Sequence, residues 1–219
     1  MLASPFLGVD RQCLTAEVDR TCPRLVTCAG YNPVQWLGDC VDVLQAQADV
    51  RRVYRAGFPG PLLSAIVWAA ANATFSWVSV AAGMVTLFLG GMLIFPVTTL
   101  VLKIMGGPAA LPKGHPSASL AMQAAFTVPL GLLVVVVLGA YESSLFFPAS
   151  LIIVGGHYLV FVSLYGMRLF GVLAIALILI GVTALFWLPA IGPFSGWLGA
   201  VTLLLSSAVM SHAQSQEST

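Results

Sequence analysis

The chain has 219 residues, of which 59% are hydrophobic and 8% charged, and it carries a net charge of +1. A soluble domain has about 25% charged residues, so this composition lacks the solvated groups to cover a globule and most of its surface must face lipid. The pI near 7.7 excludes the basic footprint of a nucleic-acid binder, and the partner the composition does imply is the lipid bilayer.

Residues 1–40 alternate polar and apolar groups without a sustained period and are expected to be a loosely structured cytoplasmic segment. No basic n-region leads an apolar core there, which argues against a cleavable signal peptide. The four cysteines, Cys13, Cys22, Cys28 and Cys40, all precede the first hydrophobic run, with gaps of 8, 5 and 11 residues and no Cys-x-x-Cys spacing. Free thiols are the expectation for a cytoplasmic segment; disulfides in an extracellular setting and a metal site are the alternatives. No metal or other cofactor is expected.

Over residues 41–57 the pattern becomes DVLQAQADVRRVYRA followed by Gly57. Acid at the start, Arg51, Arg52 and Arg55 in the last turns and a closing glycine are the signs of a short amphipathic helix. It is expected to lie at the headgroups with its arginines on anionic lipid.

Residues 58–211 form the expected membrane domain, with a polar cytoplasmic tail at 212–219. A helix needs about 20 apolar residues to cross the hydrocarbon core, and six stretches qualify: Pro61–Ser79, Ala81–Leu102, Ser119–Ala140, Phe146–Met167, Leu169–Leu188 and Phe194–Ser211. The fold class is therefore all-α, a polytopic bundle of six transmembrane helices behind an amphipathic helix. Six spans put all nine Lys and Arg residues on one face and Glu142 on the other, so the positive-inside rule makes both termini cytoplasmic.

A shift of 65 residues lays span two on span four, bringing Gly90 and Gly91 onto Gly155 and Gly156, and Lys103 onto Arg168. This is the signature of a parallel helical-hairpin repeat, with chance matching in a Gly- and Val-rich chain as its rival. Small residues permit close backbone approach in lipid, so the two glycine pairs are expected to mark the crossing of spans two and four.

Polar groups inside hydrocarbon are costly and turn inward. The short list in the spans is Asn72, Gln123, Thr127, His157, Tyr158 and Tyr165, with Glu142 at the outer end of span three. The candidate site is Asn72, Gln123, His157 and Tyr158 around a polar intramembrane cavity, with Glu142 within a few turns of His157 as a proton or ion partner. The competing reading is a neutral His157 bonded to Asn72, Gln123 or a backbone carbonyl, fixing helix register. No paired acids, HExxH or GxSxG motif is present, so no catalytic residue is assigned. Pro96 and Pro129 are expected to kink their helices.

Together VRRVYRAGFPG, LFLGGMLIFP, KGHP and FFPASLIIVGGHYLVFVSLYG, spread over roughly residues 48 to 170, resemble an uncharacterised bacterial family of small six-span integral membrane proteins, a domain of unknown function. The resemblance implies a multi-pass protein of the bacterial inner membrane and carries no activity. Two functions remain: a small transporter or permease-like protein, and a structural or accessory protein that packs with itself or with a membrane-protein partner. A membrane enzyme is a distant third.

Overall fold

The structure, a computed structural model, describes residues 43–108 and 110–217. The expected N-terminal segment with its four cysteines lies outside the described residues. What is described is helical, with no strand among the described residues: α1 (Val43–Val53), α2 (Pro59–Trp77), α3 (Val80–Ile104), α4 (Ala118–Tyr141), α5 (Phe146–Tyr165), α6 (Arg168–Phe186) and α7 (Ser195–Glu217). Short 3-10 turns precede α2, α5 and α7 at Arg55–Gly57, Ser143–Leu145 and Pro189–Phe194.

The helix limits follow from local chemistry. Pro59 opens α2, where its missing N–H costs nothing. Ser79 caps α3 by accepting from the Ala82 N–H at 3.1 Å, which sets the boundary between α2 and α3. Gly166 closes α5 in the left-handed region at φ 66°. Both α3 and α4 continue through Pro96 and Pro129 as single helices. The polar tail expected after Ser211 is helical as far as Glu217, because α7 propagates into it.

Five of the helical segments, those built on α3 to α7, are long and apolar enough to cross a membrane. The sixth expected span, α2, is not among them. Ser64, Asn72, Thr74 and Ser76 lower its apolarity, and Ser64 and Asn72 are buried in the protein. Each helix from α2 to α7 packs on the next, and α7 returns to α2, so the six close into a ring with α5 also touching α7. The core is richest where α5 meets its neighbours, with Phe146, Phe147, Leu151 and Phe170 fully buried beside Trp68 of α2.

The glycine pairs do not mark a crossing of α3 with α5; Gly90, Gly91 and Gly155 each meet a different helix. A Cβ on Gly90 would lie 2.6 Å from Val67 of α2, and one on Gly155 2.6 Å from Ile178 of α6, while one on Gly156 would meet nothing within 4 Å. Close approach is what a glycine supplies, and its partner is set by the ring. The 65-residue match therefore does not carry over to equivalent contacts, since Gly90 packs on the helix before its own and Gly155 on the helix after.

At the end where the basic residues gather, α1 lies against α5 with Ala46, Val50 and Val53 buried. Gln47 Nε2 donates to the Ser163 carbonyl at 2.8 Å, and Arg51 Nη1 to the Tyr165 carbonyl at 2.6 Å. Arg55 Nη2 donates to the Met105 carbonyl at 2.7 Å, just past α3. Two of the arginines expected on lipid thus serve chain ends instead, where the last carbonyls of a helix lack internal partners and carry the negative end of its dipole. Arg52 remains exposed.

Candidate functional site

A cavity of about 180 Å³ lies between α2, α3, α4 and α5. For scale, an engineered apolar cavity of about 150 Å³ accepts benzene. Tyr54 and Gly57, from the connection between α1 and α2, form its basic end together with Tyr165, while Leu87, Leu132 and Val154 lie at its deep end. Met92 and Phe95 of α3 stand in its wall and are 50% and 52% exposed, which puts them at an outer rim. Pro129 of α4 also lines it.

The connection that forms the basic end is held in an uncommon shape. Arg55 and Ala56 have φ of 49° and 51°, and Gly57 has φ of 78°. Left-handed conformation is costly for residues with a Cβ. A Cβ at Gly57 would also sit 2.8 Å from the Phe170 ring and 3.0 Å from Tyr165. The turn therefore needs glycine twice over, for its backbone angle and for its closeness to the aromatic residues beneath. Tyr54 is half-buried, which raises its phenol above the usual range, opposed by a hydrogen bond from the Leu111 backbone.

The polar part of the wall forms a belt. Ser64 lies five residues from the start of α2, Thr98 six from the end of α3, and Tyr158 and His157 seven and eight from the end of α5. At 1.5 Å per residue all four sit about 8–12 Å from the basic ends of their helices. Tyr158 Oη donates to Ser64 Oγ at 3.3 Å. The His157 imidazole donates to the backbone of Ala124 on α4, and its ring packs edge-on against Phe161 at 4.6 Å between centroids. His157 Nδ1 and Thr98 Oγ1 are buried without a hydrogen-bond partner in the protein. Among the described residues, no Asp, Glu, Lys or Arg lines the cavity.

Of the residues the sequence nominates, His157, Tyr158 and Tyr165 line this cavity. Asn72 does not. It is fully buried, and its Nδ2 donates to the Pro193 carbonyl at 2.8 Å, tying α2 to the turn before α7. Gly196 makes room for it, since a Cβ there would lie 2.5 Å from Nδ2. Gln123 and Thr127 are exposed on the outside of α4. Glu142 is exposed at the opposite end from the arginines, where its carboxylate accepts from the Ser144 N–H and hydroxyl. Tyr54, Ser64 and Thr98 join the site unannounced by the sequence. Ser64 and Thr98 are short hydroxyl residues, which a helix tolerates on any face, so composition gave no reason to single them out.

The matching of the whole chain follows the described helices. The model of a family of unknown function (DUF7010) matches residues 43–212, from the first residue of α1 into α7. The chain belongs to this family. The matched region holds every residue of the cavity wall and the α1 clasp, so both fall within the family's domain. Searches of curated proteins and of solved structures found no match.

Proposed function

We propose that this is a six-span, permease-like membrane protein that admits a small uncharged molecule into the cavity between α2 and α5. The observation that carries the reading is a ring-sized space, walled by four helices of an apolar bundle, with a belt of uncharged polar groups and no ionised side chain. In this reading α2 crosses the bilayer as the innermost span. Its Ser64 hydroxyl and Asn72 amide are covered by protein, so at those positions it does not need the hydropathy of a lipid-facing helix. The basic residues then share one face, and both termini lie in the cytoplasm of a bacterial inner membrane. His157 serves as a neutral wall residue, and Glu142, exposed at the opposite end, is no partner for it.

Proteoliposomes loaded with small uncharged solutes test this. Gly60 lines the cavity, and a Cβ there meets nothing within 4 Å, so Gly60→Leu places a side chain on the cavity wall at a position where its first carbon has room. The wild type is expected to release at least one solute faster than protein-free liposomes, and Gly60→Leu is expected to remove that difference. Equal release from both proteins counts against the reading. Reporters fused after Lys113 and inserted near Glu142 check the orientation; the first is expected in the cytoplasm and the second outside.

A second reading, an accessory protein that packs with a further copy or a partner, draws on the exposure of α3 and α4. Only 11% and 17% of their apolar windows are buried in the chain. Cross-linking between cysteines introduced at Leu93 or Val137 in native membranes is expected only if those faces meet protein.

A further inference from the structure

We infer that the cavity selects a neutral, ring-sized molecule bearing a single hydroxyl group, with His157 and Thr98 as its hydrogen-bonding partners. This inference rests on the reading of the cavity as a binding site and adds to it the chemistry of the occupant.

Size and charge set the frame. The volume of about 180 Å³ suits one substituted ring. Phe95, Tyr158, Phe161 and Tyr165 offer ring faces and edges against which such a molecule packs. A carboxylate, phosphate or ammonium would bring a charge into hydrocarbon with no counter-charge in the wall, a cost that paired or solvated ions avoid.

The hydrogen-bonding groups narrow the choice. In a neutral imidazole one nitrogen donates and the other accepts. The His157 ring donates toward the Ala124 backbone, and its Nδ1, which has no partner in the protein, is then the acceptor. Thr98 Oγ1, also without a partner, donates or accepts. Both side chains line the cavity at about the same depth. Both atoms are shielded from its space as they stand, so contact with an occupant requires a turn of Thr98 about χ1 and a small turn of His157 about χ2 that keeps the Ala124 bond. A hydroxyl is the simple uncharged group that donates to Nδ1 and accepts from the threonine at once. An ether or a carbonyl, with no hydrogen to give, leaves Nδ1 unmet. Without an occupant of this kind two buried polar atoms stay unpaired, which costs roughly 1–3 kcal/mol each.

The test uses the full chain in nanodiscs and fluorine NMR of three probes of similar size: 4-fluorophenol, 4-fluorotoluene and 4-fluorobenzoate. Saturable binding of 4-fluorophenol above that of protein-free nanodiscs is expected, with 4-fluorotoluene weaker by about thirtyfold, the worth of two hydrogen bonds, and no binding of 4-fluorobenzoate. Thr98→Val keeps the shape of the side chain and is expected to weaken 4-fluorophenol several-fold while leaving 4-fluorotoluene unchanged. His157→Phe is expected to do the same, and Gly60→Leu to abolish both. Equal affinity for phenol and toluene, or a Thr98→Val variant that binds both as the wild type does, overturns the hydroxyl selection and leaves the cavity standing as a site. Failure of all three probes to saturate overturns the inference and the binding reading together. Circular dichroism and thermal unfolding of each variant separate lost binding from lost folding.

Discussion

The two sides of the ring are built on different terms. Along α5, 44% of the apolar window is covered by protein, against 11% for α3 and 17% for α4. The α5 side is held by interlocked backbone: a Cβ on Gly181 of α6 would stand 2.6 Å from the Pro148 carbonyl, and one on Gly155 3.0 Å from the Ala174 carbonyl. The α3–α4 side shows large apolar residues outward, among them Leu93, Leu130, Val134 and Val137, each more than half exposed. A soluble protein does not tolerate a patch of that kind, whereas lipid solvates it without penalty. One side of the bundle is thus defined by the chain and the other by the solvent, and the cavity lies where the two meet.

The sharpest way to break this contrast is Gly181→Leu. No rotation of a flexible neighbour makes room beside a carbonyl oxygen, so thermal unfolding in detergent is expected to show a loss of roughly 3 kcal/mol. Asn72→Ala comes next. It leaves the Pro193 carbonyl without its donor, and a loss of about 1–2 kcal/mol is expected. A loss as small as that of a surface substitution would mean that the α2–α7 side is not held by this bond.

A smaller effect belongs to the boundary between the two sides. Burial raises the Tyr54 phenol above its ordinary value of 10.0. The folded protein therefore holds that proton more tightly than the unfolded chain. Its contribution is complete below the ordinary value and is lost as pH rises through the folded one. Stability of the wild type is expected to fall more steeply than that of Tyr54→Phe above pH 10.0, and parallel curves would show that Tyr54 does not sense the closure. The smallest effect is the control. Gly156→Ala, one residue from Gly155, has open space around it, and a change within about 0.5 kcal/mol is expected.

The sequence made the helical class, the amphipathic α1 and most of the loops legible, because breaks in a greasy chain are marked by Gly, Pro and charge; the break at residues 76–80 has none of these. It counted α2 as a span, and α2 is not among the helices apolar enough to cross a membrane, since Ser64 and Asn72 are polar groups that other helices cover. It also grouped Asn72 and Gln123 with His157, and the structure separates them. The reason is physical. In water a helix shows its buried face by periodicity, but in lipid both faces are apolar and the period fades. Gln123 on an outer face and Thr98 in the wall look alike in such a pattern. The glycines likewise announced close contact without saying with which helix.

The clasp formed by Gln47, Arg51 and Arg55 has one more consequence. All three grip main-chain carbonyls, at Ser163, Tyr165 and Met105, and a carbonyl is present whatever side chain it belongs to. Positions 163 and 105 are therefore free to drift in related chains without loosening the attachment, while the three gripping side chains are not. The tether is written on one partner alone, so the side chains of the helix ends beneath it can change while α1 stays fastened.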